Sequence, residues 1–225
     1  MGDNLRAQLR LMLVTDDRLL AGRDLVAVAE AAVRGGVTAV QVRLKQAGAR
    51  RLAELARRLR SAVAVPIIVN DRPDVAFALD CWVHLGALDL PVALARRIRP
   101  RGAVIGASVG TPEEAAEAVE ADYWGIGPLH GSGSKGDAGP PIGLEGFRRL
   151  VALAAGRPCL AIGGVRPQDV GPVLAAGGTG VAVVSGILGR PDVEQAAREY
   201  AAALARTFAP SPPIPGAGES PRGAP

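Results

Sequence analysis

The chain has 225 residues, is 48% hydrophobic and carries a formal charge of +4, enough apolar side chain for one sizeable core. Its basic residues recur at helical spacing (Arg57, Arg58; Arg96, Arg97; Arg148, Arg149), which describes solvated helix faces. Aromatics make up only 3%, so there is no basic run with interleaved aromatics of the kind that holds nucleic acid.

Short apolar, β-branched runs predict strands at 11–15, 39–43, 67–70, 82–85, 104–107, 123–127, 159–162 and 180–184. An amphipathic run rich in Ala, Leu and Arg follows each, predicting helices near 24–34, 49–62, 73–79, 91–98, 112–120, 144–154, 167–176 and 190–207. The strands are mostly apolar rather than alternating, as parallel strands buried on both faces should be. Eight strand–helix units in this length predict a single (β/α)8 TIM barrel over residues 1–208. The Pro- and Gly-rich stretch 209–225 cannot bury a face and is expected to be disordered. Cys81 and Cys159 lie far apart in apolar stretches and read as reduced core thiols of a cytoplasmic protein. Neither a signal-peptide core nor a membrane-length apolar run is expected.

A barrel puts its chemistry at the C-terminal ends of its strands, and the polar residues of this sequence collect there. Gln41, Arg43 and Lys45 follow the second strand, and their spacing of two places them on one side of an extended segment. Two cations and an amide suit a polyphosphate; a surface salt-bridge stripe is the alternative. Lysine occurs only at Lys45 and Lys135 among 26 basic residues, and a compact ammonium enters spaces that a guanidinium fork does not.

The third strand ends in Asn70-Asp71 and the fourth leads to Asp89. The two carboxylates could converge on Mg2+, which takes one or two carboxylates plus substrate phosphate oxygens. Alternatively, Asp71 caps a loop and Asp89 caps a helix. Ser108 after the fifth strand is expected to face the site, and Thr111 to cap the next helix. Ser132, Ser134 and Lys135 sit in a long Gly/Ser/Pro loop after the sixth strand, and such loops are usually functional. Gly163-Gly164 and Val184-Ser185, after strands seven and eight, offer peptide amides to a single phosphate, or form plain tight turns. His84 lies inside a strand and reads as a core histidine. His130 reads as a possible loop donor.

Gln41-Val42-Arg43-Leu44-Lys45, Val69-Asn70-Asp71-Arg72, Val83-His84-Leu85-Gly86 with Asp89, Ile105-Gly106-Ala107-Ser108, Asp122 through Pro128, Ser132-Gly133-Ser134-Lys135, Ala161 through Val165 and Gly180 through Ser185 occur in that order. Together they resemble the motifs of the thiamine-phosphate synthase family over residues 10 to 207. The resemblance implies condensation of an aminopyrimidine methyl pyrophosphate with a thiazole phosphate, releasing pyrophosphate. Arg43, Lys45, Ser134 and Lys135 would then be catalytic. Gln41, Asn70, Ser108, Ser132, Gly163, Gly164, Val184 and Ser185 would join them in binding substrates. Asp71 and Asp89 would hold Mg2+. The resemblance also implies a homodimer with small-molecule partners only.

Several positions depart from the family pattern. Cys81-Trp82 stands where Asp-Gly is usual, and Ala87-Leu88 replaces a polar pair. Leu44 replaces a common acid, serines replace threonines at 132 and 134, and the first strand lacks an aromatic. Trp82 must therefore find room at the barrel floor or inner wall, which bears on the pyrimidine pocket. A related thiazole tautomerase carries a histidine directly after the glycine of strand six, where this chain has Pro128. A non-catalytic phosphate-binding homologue is a further alternative. A sugar-phosphate isomerase or epimerase would need an acid/base pair that is not visible.

Overall fold

The computed structural model describes residues 2–20, 22–131 and 139–208. Eight parallel strands, β1 (Leu11–Val14), β2 (Ala39–Val42), β3 (Ile67–Asn70), β4 (Trp82–Leu85), β5 (Ile105–Val109), β6 (Tyr123–Ile126), β7 (Cys159–Ile162) and β8 (Gly180–Val183), close in sequence order into a barrel. The helices are α1 (Gly2–Gln8), α2 (Leu25–Arg34), α3 (Ala49–Ala62), α4 (Pro73–Ala78), α5 (Val92–Ile98), α6 (Pro112–Glu117), α7 (Gly143–Leu153), α8 (Val170–Ala175), α9 (Ser185–Leu188) and α10 (Val193–Phe208). The barrel and its eight strands match the sequence expectation to within one or two residues at each end. Two helices were not expected: α1, and the single turn α9 that follows β8.

Register explains why the strands read as continuous apolar runs. The pairs Met12↔Ala39, Gln41↔Ile68, Ile68↔Trp82, His84↔Gly106, Gly106↔Tyr123, Gly125↔Leu160 and Ala182↔Met12 run round the barrel, and paired residues face the same side. Met12, Ala39, Ile68, Tyr123, Leu160 and Ala182 form an inner cluster, which Leu9 joins, with Leu5 packed against it. The alternate residues, among them Leu13, Val40, Val42, Val69, Val83 and Val181, belong to a second cluster with the apolar faces of the helices. Each strand is thus apolar on both faces.

Trp82 packs against the inner cluster, as Leu5 does, and does not border the large cavity at the other end of the barrel. The wide ring that replaces a usual glycine is therefore housed on the floor side. Two strand glycines make room for large neighbours. A Cβ on Gly106 would lie 2.1 Å from Cζ of Tyr123, and one on Gly125 would lie 3.2 Å from Cε1 of His84. Caps define several helix starts. Asp24 accepts from the Val26 amide at the start of α2, and Thr111 accepts from the Glu114 amide at the start of α6.

Candidate active site

The strand C-termini open into a cavity of about 590 Å³. Its lining includes Gln41, Arg43, Lys45, Asn70, Asp71, Asp89, Ser108, Gly163, Gly164, Val184 and Ser185. The structure therefore brings together eleven residues singled out in the sequence. Ser132, Ser134 and Lys135 lie outside the described residues.

The β2 end is built by an exchange with β1. The Thr15 amide donates to the Gln41 carbonyl at 2.9 Å, the Arg43 amide donates to Thr15 Oγ1 at 2.8 Å, and that hydroxyl donates to the Arg43 carbonyl at 3.2 Å. The ladder thus continues one residue past the strand, through a side chain. The Arg43 guanidinium lies 3.2 Å from Asp16 Oδ2, with both side chains largely buried. Such a pair orients the arginine before any ligand arrives. Asp16, beside the end of β1, was not foreseen in the sequence.

Gln41 sits deeper than expected. It is 3% exposed, its Nε2 donates to Met12 Sδ at 3.6 Å, and its side chain lies near enough to the Tyr123 hydroxyl to favour the phenolate slightly. Its amide belongs to the cavity floor, not to a clamp at the rim. There it joins a buried polar chain. His84 Nδ1 lies 3.1 Å from the Tyr123 hydroxyl, and His84 Nε2 lies 3.0 Å from Ser108 Oγ. Burial holds the Tyr123 phenol far above its ordinary pKa, so it stays protonated as the anchor of this chain. His84 is the core histidine that the sequence suggested, and it also borders the cavity. Its link to Ser108 had no sequence signal beyond the alternation that points both residues inward.

Asp71 and Asp89 meet. Their side chains share a hydrogen bond, and burial together with the second carboxylate raises the Asp71 pKa from an ordinary 3.8 to about 7. Lys45 and Arg43 lie near enough to pull it partly back down. Two carboxylates, one of which raises the other's pKa, share a proton when no cation lies between them. Asp89 Oδ2 also accepts from the Gly86 amide at 2.6 Å, which fixes its turn. Asp71 has a φ of 63°, a left-handed conformation that costs free energy in a residue with a Cβ. That strain turns the chain at the end of β3 beside Asp89. Arg72 faces away, paired with Asp74 at 2.5 Å. A pair of acids with cations beside it fits Mg2+, which keeps further positions for phosphate oxygens. No group of three His, Cys, Asp or Glu side chains suited to a metal occurs among the described residues.

Across the rim, Gly163 (φ 91°) and Gly164 (φ 65°) turn sharply after β7. A Cβ on Gly163 would lie 2.6 Å from Pro128 Cβ, and one on Gly164 would lie 2.9 Å from His130 Cβ, so the close approach of the β6 loop requires glycine at both. The Leu129 amide donates to the Ile162 carbonyl and the His130 amide to the Gly163 carbonyl, at 2.7 and 2.9 Å. His130 Nε2 lies 3.1 Å from Asp169 Oδ2. Glu114 also borders the cavity, accepting from the Gly110 amide at 2.5 Å; the sequence had placed it only in a helix start.

Comparison with known proteins gives the family of this chain. The family model described as thiamine monophosphate synthase matches residues 11–187. A thiamine-phosphate synthase of Azorhizobium caulinodans is 48% identical over 196 residues, covering 84% of this chain and 92% of that protein. One from Moorella thermoacetica is 42% identical, covering 87% of this chain and 96% of that protein. The solved thiamine phosphate pyrophosphorylase of Pyrococcus furiosus superposes with a TM-score of 0.82 at 37% identity, covering 92% of this chain and all of that one.

Proposed function

The chain belongs to the thiamine monophosphate synthase family, and from that premise we propose how its barrel mouth joins a pyrimidine pyrophosphate to a thiazole phosphate. It is a transferase: the bond between the pyrimidine methylene and the pyrophosphate oxygen breaks, and the thiazole nitrogen takes that carbon, giving thiamine phosphate and pyrophosphate. The meeting of Asp71 and Asp89 beside Arg43 and Lys45 is the single observation that carries the assignment of the diphosphate flank.

Arg43, pre-oriented by Asp16, and Lys45 face the departing pyrophosphate and stabilise the charge that grows on it. The family resemblance assigns Ser132, Ser134 and Lys135 to the same phosphates. Asn70 lines the same flank. Mg2+ held by Asp71 and Asp89 supplies further neutralisation of that charge when bound. The amides around Gly163, Gly164, Val184 and Ser185 hold the monophosphate, fixing the thiazole nitrogen toward the reacting carbon. Gln41, His84 and Ser108 present polar atoms in the deeper cavity, where the aminopyrimidine ring is accommodated. No strong general base is required, because the thiazole nitrogen attacks with its own lone pair.

The tautomerase alternative is not favoured. Pro128 occupies the position of the histidine it needs, and the ring of His130 is engaged by Asp169. Homodimer formation is proposed on the family resemblance, and sedimentation at twice the chain mass would support it. Cytoplasmic residence is proposed on Cys81 and Cys159, both free and buried, with burial pushing their thiols up to about 11 and 12. No helix among the described residues is long and apolar enough to cross a membrane. The deciding assay mixes protein, Mg2+ and both substrates. Pyrophosphate and thiamine phosphate should appear in equal amounts. Binding of both ligands without turnover, or isomerisation of a thiazole carboxylate phosphate without pyrophosphate release, would contradict the reading.

A further inference from the structure

Behind the two turns assigned to the monophosphate stands a side chain from α10 that touches both. Tyr200 is 2% exposed, and its hydroxyl donates to the Val165 carbonyl at 2.8 Å, on the turn that continues Gly163-Gly164. The same oxygen occupies the space beside residue 186: a Cβ on Gly186 would lie 2.1 Å from Tyr200 Oη and 3.1 Å from Cζ. One phenol is therefore bonded to the β7 turn and wedged against the β8 turn. A buried phenol needs a partner for its O–H, and here the partner is a backbone carbonyl whose position sets that of the neighbouring amides. Glycine is required at 186 by this contact, as it is at 163 by Pro128.

We propose that Tyr200 is a positioning residue that sets the separation of the β7 and β8 turns, and so the fit of the thiazole monophosphate between them. This rests on reading those turns as the monophosphate pocket. Neither the ring nor the hydroxyl borders the cavity, so Tyr200 acts through the backbone and touches no substrate. An amide cradle is sensitive to such spacing, because hydrogen bonds weaken steeply once distance and angle leave a narrow range.

The test is steady-state kinetics on the full chain carrying Tyr200→Phe, which keeps the ring and removes one oxygen. The Michaelis constant for the thiazole phosphate should rise about fivefold to tenfold, with kcat and the constant for the pyrimidine pyrophosphate within about twofold. With the unphosphorylated thiazole alcohol as acceptor, wild type and variant should be equal. A purely structural role would move both Michaelis constants or kcat, and would affect the alcohol as much as the phosphate. Gly186→Ala separates the two layers of the claim. Its new methyl collides with Tyr200 Oη, so the thiazole phosphate constant should rise in this variant too. In the double variant the rise should be smaller than the product of the single effects, because the Phe removes the nearest clash. If Gly186→Ala weakens thiazole phosphate and Tyr200→Phe does not, the positioning role is wrong and the pocket stands. If neither changes that constant, the pocket itself is misassigned and the proposal falls with it.

Discussion

Asp71 carries the most consequential chemistry of any single residue. Its folded pKa of about 7 exceeds the ordinary 3.8, so the folded state binds more protons than the unfolded chain between those values. By linkage, metal-free protein should lose stability as pH rises from about 4 to 7, with no further change from this group above that. Thermal unfolding against pH without metal checks the slope. Asp71→Asn should flatten it, and Mg2+ should raise the melting temperature more at pH 8 than at pH 5, because protons compete for the same site. A slope unchanged by Asp71→Asn would refute the account of the pair. Lys135 gives a second prediction: Lys135→Ala should lower turnover by about a hundredfold or more. Arg97→Ala, on an exposed face of α5, should leave it unchanged. Equal, small losses would remove lysine scarcity as a guide to the site.

At the scale of elements, the strand ends were legible because most are apolar runs stopped by a polar or glycine residue, and parallel strands tolerate few polar positions. The Gln41, Arg43, Lys45 line and the Asp71, Asp89 pair could be anticipated from that logic. The Tyr123–His84–Ser108 chain could not, since it depends on β4, β5 and β6 being adjacent at one register. Asp16 was missed for the same reason: a carboxylate beyond β1 says nothing of an arginine beyond β2 until the barrel pairs them. The single turn α9 is too short to give a readable hydrophobic period, and α1 precedes the first strand, outside the strand–helix alternation that located the other short helices. The glycines inside strands are informative only once their neighbours are known. Gly106→Ala should destabilise by about 1–3 kcal/mol or more, since the new methyl must displace the buried Tyr123 ring rather than a flexible tip. Urea unfolding measures this, and a neutral result would mean that Tyr123 is not held where the His84 chain needs it.

For the whole molecule, the closed barrel gathers around one cavity residues that are more than a hundred positions apart in sequence, from Arg43 to Ser185. Its opposite end is filled by Trp82, Leu5 of α1 and Leu9, so substitutions there burden folding more than chemistry. The C-terminal stretch from 209 onward is composed like a segment without a core. A chain ending at residue 208 should keep its melting temperature and both Michaelis constants; a loss of either would assign that stretch a role. The account is tested most directly by a crystal structure with Mn2+, pyrophosphate and thiamine phosphate. The anomalous signal should lie between Asp71 and Asp89 with diphosphate oxygens beside Arg43 and Lys45, and the monophosphate should lie against Gly163, Gly164 and Ser185. A metal bound elsewhere, or a monophosphate remote from those glycines, would contradict it.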